Sequence, residues 1–171
     1  MKIIRRTKRN FLGAMAATLA GGIAPWRQGM AGTRASAIPE FEVEHSRTHW
    51  RRRLSAQQYR VLRRGATEPP FSSSLLEESR RGTFACAGCG LPLFSSETKF
   101  ESGTGWPSFW VPLDGAVSTH ASSASVPLPN EVHCRRCGGH LGHVFDDGPP
   151  PTGLRYCFNS VALRFVAYRV S

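Results

Sequence analysis

Five cysteines carry the reactive chemistry of this 171-residue chain, and four of them come in pairs. Cys86-Ala87-Gly88-Cys89 and Cys134-Arg135-Arg136-Cys137 share the spacing CxxC, each followed directly by a glycine, Gly90 and Gly138. Two intervening residues let a tight turn aim both sulfurs at one ion, and the glycine allows close backbone approach. Two such turns supply four thiolates, a tetrahedral cage for one structural zinc ion with no position left open for substrate. The pairs lie too far apart for a compact zinc ribbon, so the ion would staple distant parts of a larger sheet. Two other uses of these residues stand beside that one. Disulfides suit an exported chain, and a redox CxxC motif needs a strand-helix context that the glycines do not suggest.

The fifth, Cys157, is left over in Arg155-Tyr156-Cys157-Phe158-Asn159-Ser160. A spare cysteine either packs as a small hydrophobe or reacts. Alternation along a strand would put Arg155, Cys157 and Asn159 on one face. There Arg155 would favour the thiolate, and Asn159 would donate hydrogen bonds to an oxygen. His140-Leu141-Gly142-His143 places two imidazoles close together as proton sources, although neighbouring histidines also occur solvated or bound to metal. In Gly103-Thr104-Gly105-Trp106-Pro107-Ser108-Phe109-Trp110 the glycines make a bend. Trp106 and Phe109 would line a pocket floor, a use that competes with ordinary core packing.

The elements that must position these groups are mostly strands. Trp50, Leu54, Tyr59, Val61 and Leu62, with arginines between, suggest one or two helical turns, and Ser55 with Gln58 can form a capping box. Glu68-Pro69-Pro70 would end any helix. Beyond Phe71 the apolar runs have strand length: Thr83 to Cys86, Leu91 to Phe94, Phe109 to Leu113, Ala116 to Thr119, Glu131 to Cys134, His143 to Phe145, Arg155 to Phe158 and Val161 to Val170. One domain over residues 38–171 accommodates them all.

Residues 1–37 read as an export signal. Basic residues come first, then an uncharged stretch from Phe11 to Trp26, then Ala35-Ser36-Ala37 as a small-residue cleavage site. Thr7 to Gly13, TKRNFLG, resembles a twin-arginine motif with lysine in the first arginine position, which directs the protein to the periplasm already folded. The stretch is too short and glycine-rich to span a bilayer well, and no cysteine lies beside the cleavage site, so no stable membrane anchor is expected. Lys2, Arg5, Arg6, Lys8, Arg9, Arg27 and Arg34 supply seven of the ten net positive charges, leaving the body at +3. So small an excess argues against a nucleic-acid partner. A zinc-ribbon-like binding module, using Arg51 to Arg53 with Arg135 and Arg136, is the main alternative to an enzyme, although such residues more often form a solvated face. Met1, Met15 and Met30 all precede the cleavage site, so the mature chain would lack methionine.

Taken together, five runs resemble the B-type methionine sulfoxide reductases. They are WRRRLSAQQYRVLRRGATEPPF (Trp50 to Phe71), CAGCGLPLF (Cys86 to Phe94), FESGTGWPSF (Phe100 to Phe109), CRRCGGHLGHVFDDGP (Cys134 to Pro149) and RYCFNSVALRF (Arg155 to Phe165), in family order. The resemblance implies an all-β, mainly antiparallel fold, with two small sheets stapled by the four-cysteine zinc site and short helices at the start. It implies reduction of the R epimer of methionine sulfoxide in oxidised peptides and proteins. Cys157 would attack the sulfoxide sulfur and become a sulfenic acid, His140 and His143 would protonate or orient the oxygen, and Asn159 would help position it. Arg155 would tune Cys157, and Trp106 would hold the substrate methyl group. Many members carry a resolving cysteine where this chain has Thr104. With no sixth cysteine, the expected partner is an external reductant, a thioredoxin-like protein or other thiol, acting on a monomer.

Overall fold

The computed structural model describes residues 41–120 and 130–169, so the export segment proposed for residues 1–37 lies outside the described residues. Among the described residues two short helices come first. Ser46 caps α1 (Arg47–Arg53) by accepting from the His49 amide, and Ser55 with Gln58 forms the reciprocal capping box on α2 (Ala56–Arg64). Gly65, in the left-handed conformation, closes α2. The helix therefore stops before Pro69 and Pro70 are reached, a correction to the expected terminator. Trp50, Val61 and Leu62 are the buried side of this pair. Its arginines are partly spoken for: Arg53 Nε donates to the Gly88 carbonyl at 3.1 Å and Arg63 Nη1 to the Cys137 carbonyl at 2.8 Å, so each CxxC turn is tied to a helix.

Among the described residues nine strands follow: β1 (Gly82–Cys86), β2 (Pro92–Ser95), β3 (Lys99–Phe100), β4 (Ser108–Phe109), β5 (Val117–His120), β6 (Asn130–Cys134), β7 (His140–Phe145), β8 (Arg155–Phe158) and β9 (Leu163–Ala167). They form two antiparallel sheets, ordered β2-β1-β9 and β3-β4-β8-β7-β6-β5. The all-β architecture is as expected, with changes at the margins. β3 is new, β4 stops at Phe109 rather than running on to Leu113, β7 begins at His140, and a 3-10 turn at Ser160–Ala162 shortens the last strand. Phe84, Phe94, Phe109 and Phe158 are all buried, with the Phe94 and Phe109 rings stacked at 4.5 Å and Phe84 edge-on to Phe109 at 5.0 Å. Four such rings supply the largest apolar payload of the core.

Two irregularities in the second sheet matter for function. Val132 pairs with Gly142, yet the next residue, His133, pairs with His140, so Leu141 is the extra residue of a bulge in β7. Three positions apart, His140 and His143 would face opposite ways on a regular strand; the bulge turns both to the same side. Gly142 has the second role. A Cβ there would stand 2.1 Å from the Cys157 carbonyl oxygen, so only glycine lets β7 lie this close to β8.

Candidate active site and metal centre

Cys157 lies in the middle of β8, paired with Ser108 on one side and His143 on the other. Glu131 stands opposite His143 on the next strand, and His120 beyond that. Cross-strand partners share a face, so these five side chains form one row across the sheet. The half-buried Cys157 opens into a pocket of about 170 Å³ whose lining includes Thr67, Trp106, His143, Phe145 and Asn159. The wall is mostly aromatic, with few polar groups converging on the sulfur, as expected of a small-molecule or side-chain site.

Arg155 is buried and shares the face of Cys157, as strand alternation predicted. Its guanidinium lies over the Phe145 ring at 4.1 Å and makes a two-pronged pair with Asp147, both bonds at 2.8 Å. That pair, chiefly its hydrogen bond, holds the Asp147 carboxyl below and the Arg155 guanidinium above their ordinary values; the Cys157 sulfur also favours the charged Arg155.

His140 and His143 divide between two environments. His143 lines the Cys157 pocket, whereas His140, only 4% exposed, lies behind it with the rings edge-on at 5.5 Å. His140 Nδ1 meets Glu131 Oε1 at 2.5 Å. Burial lowers the pKa of both imidazoles, and the Glu131 carboxylate partly offsets this at each.

Asn159 is more occupied than the sequence suggested. Its Oδ1 accepts from the Glu68 amide at 2.9 Å and its Nδ2 donates to the Leu141 carbonyl at 3.1 Å. One amide hydrogen remains to face the pocket. Trp106 is at the pocket wall as expected, its indole N–H donating to the Glu68 carbonyl at 3.2 Å. Phe109 is not a pocket residue: it is 0% exposed and stacks in the core, because the strand pairing that turns Ser108 toward Cys157 turns its neighbour inward.

Sequence reasoning missed Glu68. Its backbone holds Asn159 and Trp106, while its buried carboxylate accepts from the Ser160 amide and, at 3.1 Å, from the Val161 amide. Its place before two prolines disguised it as punctuation. Glu131 and Ser108 were also missed, since only strand pairing brings them to the site. Thr104 is where the resolving position was expected: its hydroxyl is 3.9 Å from the Cys157 sulfur and 2.8 Å from the Ser102 hydroxyl, which in turn meets the Ser108 hydroxyl at 2.8 Å.

The four remaining cysteines converge from two sheets. Cys86 ends β1 and Cys134 ends β6. The Gly90 amide returns to the Cys86 carbonyl and the Gly138 amide to the Cys134 carbonyl, both at 2.8 Å, with both glycines at positive φ. The sulfurs of Cys86 and Cys137 are 3.8 Å apart and those of Cys89 and Cys134 3.5 Å, and all four lie within 4.8 Å. Disulfide sulfurs would be about 2 Å apart, so these are free thiols. Bonds of about 2.3 Å to a tetrahedral ion would put sulfurs about 3.8 Å apart, so the arrangement fits a metal ion. Packed this closely they cannot all ionise alone. Sulfur-sulfur hydrogen bonding pushes the Cys86 and Cys134 thiols up and the Cys137 thiol down, and a divalent cation would replace the shared protons.

A half-buried thiol lies beside an imidazole in an apolar pocket, on antiparallel sheets joined by four cysteines that could hold a metal ion. The SelR domain model matches residues 54–167. A protein of Leptospira interrogans named peptide methionine sulfoxide reductase MsrB is 51% identical over 126 residues, 73% of this chain and 96% of its own. Proteins of the same name from Methanosarcina mazei and Agrobacterium fabrum are 52% identical over 75% of this chain and 92% of their own, and 47% over 76% and 97%. The chain belongs to this SelR family of MsrB peptide methionine sulfoxide reductases.

Proposed function

We propose that the protein reduces the R epimer of methionine sulfoxide in peptides and proteins, and that it repairs exported proteins in the periplasm. The observation that carries the chemistry is the placement of Cys157 between Ser108 and His143 at the floor of a pocket walled by Trp106. The oxidised side chain enters with its methyl group against Trp106, and the Cys157 thiolate attacks the sulfoxide sulfur. As the sulfur-oxygen bond of the substrate breaks, the oxygen takes a proton from His143 and bonds to the Cys157 sulfur. The bond just formed between Cys157 and the substrate sulfur breaks, its electron pair staying on methionine, which leaves as the thioether, and Cys157 is left as a sulfenic acid. Arg155, buttressed by Asp147, holds a fixed positive charge on the face of β8 that carries the Cys157 sulfur. His140 and Glu131 are positioning residues acting through His143, and the free amide hydrogen of Asn159 steadies the oxygen. The sulfenic acid then reacts with two external thiols, giving cysteine, a disulfide and water.

Cys86, Cys89, Cys134 and Cys137 would hold one zinc ion, whose part is to staple the sheets. Folding around zinc before twin-arginine export would keep these thiols from oxidising in the periplasm, and the TKRNFLG run supports that route. The test is turnover of the purified protein on separate R and S epimers with dithiothreitol as donor. Reduction of R alone, lost in Cys157→Ser with the metal retained, is expected. Reduction of S alone would overturn the reading.

A further inference from the structure

Beside the row that crosses Cys157, the same sheet face carries a second group of chemistry-bearing side chains. Glu131 Oε1 stands between two imidazoles, 2.5 Å from His140 Nδ1 and 3.2 Å from His133 Nε2. One ligand atom from each of the three lies within 4.8 Å of the others. The other ring nitrogen of His133, Nδ1, is 3.3 Å from the Gly138 carbonyl oxygen. A carbonyl only accepts, so that nitrogen carries the hydrogen, and a neutral ring then turns a bare lone pair from Nε2 toward the carboxylate. That lone pair and the carboxylate oxygen, 3.2 Å apart, are two donors placed for one cation.

We propose that Glu131, His133 and His140 form a second, exchangeable metal site for a borderline divalent ion such as zinc or nickel, separate from the four-cysteine centre. Two imidazoles and a carboxylate are the donor set such ions take, with water in the remaining positions. Ligands bonded at 2.0–2.1 Å to a tetrahedral ion stand about 3.3 Å apart, close to the Glu131–His133 separation, and His140 needs only to open its shorter contact. A pocket of about 190 Å³, lined by Leu62, Gly65, Glu131, His133 and His140 with Arg63, gives an approach distinct from the Cys157 pocket. His120 extends the cluster, its ring edge-on to His133 at 5.0 Å. Arg63 sets a limit on affinity. Its guanidinium, held over Trp50 at 3.8 Å, repels a cation, which suits a site that fills and empties rather than a permanent one.

Occupancy takes Nδ1 of His140 and the carboxylate of Glu131 away from the support of His143, so the ion inhibits reduction. That consequence rests on the function proposed above, whereas binding of the ion does not.

The test uses zinc-loaded protein. In the Cys157→Ser background, which removes the free thiolate as a competing ligand, calorimetric titration with nickel is expected to show one ion bound per chain beyond the zinc. Adding His133→Gln is expected to weaken that binding at least about tenfold, whereas His45→Gln, in the histidine pair near the helices, leaves it unchanged. With Cys157 restored, His133→Gln keeps basal reduction within about twofold but needs at least about tenfold more nickel for half inhibition. No second ion, or binding indifferent to His133→Gln, overturns the site. Binding without inhibition overturns the coupling to His143. A chain inactive on sulfoxides would still give the calorimetric answer, so the two readings fail separately.

Discussion

The hydroxyl of Thr104 lies 3.9 Å from the sulfur of Cys157. A sulfur in place of that hydroxyl would sit within the range from which a disulfide closes. Thr104→Cys is therefore expected to convert the enzyme from one that waits for an external thiol to one that resolves itself. After one turnover without reductant, mass spectrometry should find one added oxygen on the parent protein and the loss of two hydrogens in the variant. An internal disulfide in the parent would mean that a cage cysteine resolves Cys157.

Glu68 joins three parts of the site through one residue. Glu68→Ala leaves the Ser160 and Val161 amides without their acceptor in a buried setting, and the cost expected is about 2–4 kcal/mol. Glu68→Gln keeps one acceptor oxygen and should cost about half as much. Denaturant midpoints measure this. A KM raised in both variants, as the Glu68 backbone that holds Trp106 and Asn159 loses its side-chain tether to the Ser160 and Val161 amides, separates positioning from mere stability.

The buried His140 and the half-buried His143 make stability depend on pH. Both fold into a state that holds them below the ordinary value of 6.5. Between the folded and unfolded values the unfolded chain binds more protons, so this stabilisation is complete above about pH 6.5 and drains away as pH falls toward the lower folded values. His143→Gln removes one of the two groups. Its unfolding midpoint should fall less than the parent's between pH 7 and pH 5, and parallel curves would show that His143 is not buried as described.

Removing the metal should unfold rather than merely inactivate. Cys134→Ser, or a strong chelator, leaves closely packed thiols where β1 and β6 end, with no ion to neutralise them. A loss of several kcal/mol is expected, with metal content by elemental analysis and the thermal midpoint falling together. Cys157→Ser should leave both unchanged.

Much of this was legible in the chain because the physics involved is local. A CxxCG turn closes on itself, so Cys86, Cys89, Cys134 and Cys137 declare by spacing a cage that could hold a metal ion. Elimination then isolates Cys157, Ser55 and Gln58 announce the start of α2, and alternation puts Arg155 beside Cys157. What spacing could not reveal is anything that depends on which strands meet and in what register. His140 and His143 share a face only because Leu141 bulges, and Phe109 is in the core because Ser108 is the residue opposite Cys157. Glu68 matters because amides more than ninety positions away lack acceptors until the fold closes. Register is set by burying the four phenylalanines and closing the cage together, a condition on the whole chain that no stretch of it contains.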